Sequence, residues 1–240
     1  MLREDVVKIF NSEKYQLIKK CIVSSQPVCI LLGGQPASGK SNLVTVAEEK
    51  FSTTFLNVNG DDYRQYHPCS KKLIKSVNDY SEKTQIFSNV FTEELINAAI
   101  NNQFNIIIEG TMRNSHTSLD TALRFKNSGF KVYAFVIAVP GLVTELGIYD
   151  RYQKEVNRTG FGRLADVNVH NIAIDGLKKT IDVLYAKNAV DGISIFTFRA
   201  EKLFKEYNLT DKKTNQSAFL KPSDIIHRAR DLQLNDKIRE

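Results

Sequence analysis

Apolar positions along the chain fall into two periods. Uninterrupted runs of strand length occur at residues 28–32 and 132–139, the second in a strand expected from Lys131, with more mixed strand-length stretches at 53–58 (Thr-Thr-Phe-Leu-Asn-Val), 105–108 (Asn-Ile-Ile-Ile) and 193–198 (Ile-Ser-Ile-Phe-Thr-Phe). Such runs predict strands buried on both faces of a sheet. Between them the apolar residues recur every three or four positions. Val6, Ile9, Phe10, Leu17, Ile18, Cys21 and Ile22 do so in the first segment, which Ser24-Ser25-Gln26-Pro27 breaks. Ile86, Phe87, Val90, Phe91, Leu95, Ile96 and Ala99 do so across 83–101. Further helices are predicted at 39–50, 118–126 (stopped by Gly129), 142–156, 167–187 and 223–232, the last after Pro222.

Five strands alternating with helices predict an α/β fold: a five-stranded, mainly parallel sheet with helices on both faces. No internal repeat, low-complexity tract or linker interrupts the pattern. One domain over residues 1–240 is therefore expected, with a helical lead-in at 1–26, an α/β core at 27–200 and a polar, helical extension at 201–240.

Composition narrows the partners. The 240 residues are 42% hydrophobic and 25% charged, enough for a sizeable core under an ordinary surface. A net charge of +6 favours anionic partners such as nucleotides or phosphosugars. The lysines are scattered, without the run of about five or six like charges that marks a nucleic-acid-binding tail, so no nucleic acid is expected. No stretch approaches the roughly 18 apolar residues of a membrane span, so no membrane partner is expected either. Met1-Leu2-Arg3-Glu4-Asp5 lacks the apolar centre of a secretory signal, and the expected location is cytoplasmic. Three cysteines (Cys21, Cys29, Cys69) and four histidines (His67, His116, His170, His227) share no metal-binding spacing. Cys21 and Cys29 read as small core residues, and His67 before Pro68 as a loop-shaping one.

One motif carries chemistry by itself. Gly34-Gln35-Pro36-Ala37-Ser38-Gly39-Lys40-Ser41 lies between a buried strand and a helix, the setting a phosphate loop requires. Gly34 and Gly39 are expected to let successive N–H groups converge on phosphate oxygens, and the following helix to add its positive end. Lys40 is expected to reach the β- and γ-phosphates of ATP, and the Ser41 hydroxyl to ligate Mg²⁺. The fold class thereby narrows to P-loop NTPase or kinase-like.

In an open parallel sheet, ligands bind beyond the carboxyl ends of the strands. Asp61 and Asp62 follow the second strand, and Glu109 and Thr111 the third. A hydroxyl acceptor needs a base within hydrogen-bond reach, and a carboxylate suits that task. Asp61 follows Gly60 and lies 21 residues after Lys40, about one helix and one strand further on. Glu109 ends an apolar strand and suits the surroundings of Mg²⁺ or a hydrogen bond to the acceptor. Charge on a moving phosphoryl group is best met by guanidinium forks. Arg113, Arg151, Arg158 and Arg163 are candidates, the last beside a Thr159-Gly160-Phe161-Gly162 loop of the kind that folds over a nucleotide. Residue types alone leave the choice among them open.

Four stretches together resemble the zeta toxin family, bacterial phosphate-loop kinases of toxin–antitoxin systems. They are Leu32-Gly33-Gly34 through Lys40-Ser41; Asn59-Gly60-Asp61-Asp62-Tyr63-Arg64-Gln65-Tyr66-His67-Pro68; Ile108-Glu109-Gly110-Thr111-Met112-Arg113; and Arg151-Tyr152 with Arg163 following. The resemblance implies transfer of the ATP γ-phosphate to the sugar 3′-hydroxyl of UDP-N-acetylglucosamine. It implies Asp61 as catalytic base, Lys40 and Ser41 in the phosphate loop, and Glu109, Thr111 and Arg113 on the sugar-nucleotide side. Arg151 and Arg163 would contact the ATP phosphates, and a small antitoxin would block the nucleotide site. Asn59 stands where members often carry Asp, Asp62 adds an acid beside the implied base, and Gln153 replaces an acid often found after Arg-Tyr. The same loop also admits two other readings: a kinase of another small molecule or of polynucleotides, and a nucleotide-binding regulator without turnover.

Overall fold

The computed structural model describes residues 1–74, 77–160, 162, 164–197, 205–208 and 221–238. Helix α1 (Arg3–Ile18) carries two acids in its first turn and buries Val6 and Phe10. Strand β1 (Val28–Gly33) follows, almost wholly buried, as its unbroken apolar run requires. A 3₁₀ turn (Lys40–Asn42) leads into α2 (Leu43–Phe51), then β2 (Leu56–Asn59) and three short helices, α3 (Gly60–Tyr63), α4 (Ser70–Leu73) and α5 (Val77–Lys83). After these come α6 (Gln85–Asn102), β3 (Ile106–Gly110), α7 (Ser115–Asn127), β4 (Lys131–Ile137), α8 (Gly141–Thr159), α9 (Val167–Ala186) and β5 (Gly192–Thr197). Strand β6 (Lys205–Asn208) and α10 (Pro222–Ile238) end the described chain.

The sheet runs β2-β3-β1-β4-β5-β6, with five parallel strands and β6 antiparallel at the edge. The five parallel strands are those expected; the sixth is not. Lys-Glu-Tyr-Asn has no run of apolar residues, and a strand paired on one side only can be held by backbone hydrogen bonds without one. The extension after residue 200 is therefore not all helical. Two further boundaries differ. The helix expected from residue 39 begins as a 3₁₀ turn and becomes α-helical only at Leu43, because Gly39 is left-handed (φ 77°). The polar stretch after β2 forms three short helices, which have too few residues for a helical period to show.

Two cores cover the sheet. The larger packs Phe10, Phe87, Phe91, Leu95, Phe125, Leu177 and Ile226 from the helices on Leu31, Ile106, Val132, Ala134 and Ile195 of the strands. The smaller seats Leu43 and Ala47 of α2 on Ile30, Leu32, Ile107, Phe135, Ile137 and Phe196. Alternate strand residues thus face opposite cores, which is why the strands read as continuous rather than alternating. Cys29 is buried and Cys21 half-buried. Among the described residues no helix is long and apolar enough to cross a membrane.

Candidate active site

Strand β1 lies between β3 and β4, so the chain changes direction across the sheet beside its carboxyl end. A ligand crevice forms at such a point. The register levels the strand ends: Gly33 pairs with Gly110, and Asn59 with Glu109. The loops after β1, β2 and β3 therefore rise from one rim.

The phosphate loop is shaped by its two glycines for different reasons. Gly39 needs its left-handed φ. Gly34 needs space instead, since a Cβ there would lie 2.6 Å from both Ile137 Cγ2 and Ser38 Oγ. A non-glycine, Ala37, takes the other left-handed position (φ 60°) and backs onto Gly147 of α8. The buried Ser38 hydroxyl finds no hydrogen-bond partner among the described residues. An unpaired hydroxyl at this depth costs stability unless a ligand meets it. Gln35, wholly buried, donates its side-chain amide to the Val139 carbonyl at 2.7 Å and to Thr144 Oγ1 at 3.3 Å. Pro36 is half-buried.

The β2 corner is held by side chains. Asn59 Oδ1 accepts the Asp61 N–H at 3.2 Å, capping α3. Ser88 Oγ donates to the Gly60 carbonyl at 2.5 Å. Arg64, 5% exposed, donates Nε to Asp61 Oδ1 at 2.9 Å while the Asp61 side chain stays 53% exposed. The same guanidinium donates to the Ser81 carbonyl (2.7 Å), Thr84 Oγ1 (2.8 Å) and Gln85 Oε1 (2.7 Å). One oxygen of Asp61 is thus tied to a rigid fork, and about half of the side chain remains exposed. His67 accepts the Cys69 N–H at Nδ1 (3.1 Å) and meets the Phe87 ring edge-on. Burial, with the N-terminal charge adding to it, lowers the His67 pKa, in keeping with a neutral, loop-shaping acceptor.

Glu109 joins the two loops. It accepts from Ser41 Oγ (2.9 Å) at one oxygen and from Asn57 Nδ2 (3.0 Å) at the other. Burial lowers the Lys40 pKa and Arg151 lowers it further, while Glu109 and Asp61 oppose both. Those four charges therefore lie within electrostatic reach of one another. The Asp62 pKa is raised, first by burial and then by Glu109 and Asp61, with Arg151 opposing. Beyond β3, Thr111 and Arg113 line a cleft of about 360 Å³ with Asn114, Thr117 and Ser118. Arg113 is held from behind: a Cβ at Gly176 of α9 would fall 2.2 Å from its carbonyl oxygen. Glu109 is not among the residues lining that cleft and turns instead to Ser41 and Asn57. Gly160 ends α8 in a left-handed turn and Gly162 folds back onto Tyr152 and Val156. Phe161 and Arg163 lie outside the described residues, whereas Arg151 and Arg158 are exposed on α8.

A sequence profile of zeta toxins matches residues 12–219. The chain belongs to the zeta toxin family. It is 28% identical to Toxin zeta of Enterococcus hirae over 196 residues, 81% of this chain and 68% of that one. Toxin PezT of Streptococcus pneumoniae serotype 4 is 31% identical over 132 residues, 55% of this chain and 52% of that one. A solved structure from the PezAT chromosomal toxin–antitoxin system of Streptococcus pneumoniae superposes with a TM-score of 0.79 at 22% identity, covering 96% of this chain and 88% of that one. AvrRxo1-ORF1:-ORF2, solved with ATP, superposes at 0.54 and 15% identity, covering 86% and 64%. The fold is thus the kinase-like, phosphate-loop fold of zeta toxins.

The zeta toxin resemblance in the sequence left several residues without a task that the structure supplies. Asn57 bonds Glu109, and Thr84, Gln85 and Ser88 hold the β2 corner. Arg64 stood in the motif with Asp61, but its other partners lie 17 to 21 residues further on and carry no signal of their own.

Proposed function

We propose that this chain is an ATP-dependent kinase that phosphorylates the sugar 3′-hydroxyl of UDP-N-acetylglucosamine. The observation that carries the proposal is the pairing of a half-exposed, Arg64-oriented Asp61 carboxylate with a phosphate loop on the same rim. Asp61 takes the acceptor hydroxyl proton, and the acceptor oxygen forms a bond to the γ-phosphorus. The bond from that phosphorus to the bridging oxygen breaks, and ADP leaves with the electron pair. Lys40, Arg151 and Arg163 meet charge on the phosphoryl oxygens. Residues Gly34, Gln35, Pro36, Ala37, Ser38, Gly39, Lys40 and Ser41 hold the triphosphate, and the unpaired Ser38 hydroxyl fits that use. Thr111 and Arg113, with Glu109 at their edge, hold the sugar nucleotide.

The donors at the rim suit Mg²⁺, a hard ion that favours oxygen: the Ser41 hydroxyl is the residue that would hold it, with Glu109 Oε2 at 2.9 Å. When bound, the ion neutralises phosphate charge. A small antitoxin covering the nucleotide site is the proposed partner; the PezAT system of a structurally similar chain supports it.

The test is product analysis after incubation with Mg-ATP and UDP-N-acetylglucosamine. A phosphorylated sugar nucleotide and ADP in equal amounts are expected. Labelling of nucleic-acid ends with none of the UDP-sugar would replace this acceptor with a polynucleotide, and ATP binding without transfer to any acceptor would make the chain a regulator.

A further inference from the structure

Helix α10 begins after the stretch that the zeta toxin profile matches, yet it reaches the phosphate loop. Its start is fixed to α9, where Asp182 accepts the Ser223 N–H (3.0 Å) and hydroxyl (2.6 Å). Its inner face then buries Ile226, Ala229 and Arg230, spaced as one side of a helix. One turn on, Gln233 donates to the Ala138 carbonyl just beyond β4. Arg230 sits between these anchors and donates Nη2 to Gln35 Oε1 at 3.1 Å.

Gln35 is thereby bound at both ends of its amide. Its nitrogen donates to Val139 and Thr144, and Thr144 Oγ1 in turn shares a 2.7 Å hydrogen bond with His170 Nε2 of α9. The backbone carbonyl of Gln35 accepts the Ser38 N–H at 3.2 Å, so the residue whose side chain α10 grips belongs to the turn of the phosphate loop. Arg230 Nε meanwhile finds no partner among the described residues. Burial pulls its guanidinium down to about 10, with Asp175 opposing. The Asp175 side chain is itself 79% exposed and paired with Lys178. A buried cation with no close carboxylate among the described residues is costly, and an anionic ligand on the loop it holds would offset that cost.

We propose that α10 is part of the nucleotide site, with Arg230 a positioning residue that keeps the phosphate loop in its binding shape through the Gln35 side-chain carbonyl. The inference rests on the ATP-binding part of the function proposed above. It is tested by calorimetric titration of Mg-ATP into the full chain and three variants, Arg230→Met, Gln35→Met and the double substitution, with KM for the acceptor measured alongside. Loss of a hydrogen bond to a charged donor predicts ATP affinity weaker by about tenfold in Arg230→Met. The acceptor KM should be unchanged, and the double variant no weaker than Gln35→Met alone. Arg230→Lys, which keeps the buried charge but not the fork, should fold even if Arg230→Met does not, and should also weaken ATP binding. Wild-type affinity in Arg230→Lys overturns the proposal, as do losses that multiply in the double variant. A wild-type chain that binds no Mg-ATP overturns the phosphate-loop reading as well, which separates the two failures.

Discussion

Two buried arginines brace the crevice from opposite sides, and they are satisfied to different degrees. Arg64, under the β2 corner, spends its donors on four hydrogen bonds, one of them to the Asp61 carboxylate. Arg230, behind the phosphate loop, has its hydrogen bond to Gln35 and an unpartnered Nε. Near-complete satisfaction fixes a geometry whether or not ligand is present, whereas a less satisfied cation leaves electrostatic work for an anion to finish. On the proposed function, the acceptor side of the site is thus built rigid. The nucleotide side is built to gain from its ligand, and the unpaired Ser38 hydroxyl follows the same logic.

The largest expected effect tests what the rigid side is for. Asp61→Asn keeps nearly the same shape but cannot take a proton. Turnover should fall by at least about a hundredfold, as for other general bases, while calorimetry shows unchanged ATP affinity. Turnover near wild type would remove Asp61 from the role and leave Arg64 orienting a carboxylate of no chemical use.

Next comes the brace itself. Arg64→Met leaves the Ser81 carbonyl, Thr84 Oγ1 and Gln85 Oε1 without their shared donor. Denaturant unfolding should show a loss of about 2–4 kcal/mol, the scale for orphaned buried groups and broken buried charge networks. In the fraction still folded, turnover should drop about tenfold or more through misplacement of Asp61, with ATP affinity spared. A loss of ATP affinity as large as in Arg230→Met would erase the contrast between the two sides.

How much of this was legible in the chain follows from the range of each interaction. The phosphate loop was, because its fixed residues are adjacent and must sit between strand and helix. The central strands were, because residues such as Ile30 and Leu31 face opposite cores and leave no polar gap. The short helices after β2 and the strand β6 were not, being too short or too polar for a period. Arg64 was visible as a motif letter and invisible as a brace. The contact between Gln35 and Arg230 spans 195 residues, and although Gln35 stands in the phosphate-loop motif, nothing local marks Arg230 as its partner.

A smaller effect addresses the cleft beside the rigid corner. Arg113 is exposed, with its backbone pressed against Gly176. Arg113→Gln should raise the acceptor KM by about tenfold, the loss of one charge-assisted hydrogen bond, with the ATP KM unchanged in steady-state kinetics. A shift in the ATP KM instead would move Arg113 to the nucleotide side.

Asp62 carries the smallest expected effect and the most informative sign. Burial and the neighbouring Glu109 and Asp61 raise its pKa in the folded state, against Arg151. The folded chain therefore binds this proton more tightly than the unfolded chain does. The penalty of carrying the charge is fully present above the raised pKa and is relieved as pH falls through it toward the ordinary carboxylate range. Asp62→Asn removes that penalty, so at neutral pH the variant should be slightly more stable than the wild type. The gain stays within about 0.5 kcal/mol because the side chain is exposed and screened. The difference should vanish in acid, which unfolding curves across pH would show. Turnover should change by less than about threefold, since a base already held by Arg64 needs no second acid beside it. If Asp62→Asn rather than Asp61→Asn abolishes transfer, the Arg64 fork holds a carboxylate that only shapes the corner, and the proton leaves through its neighbour.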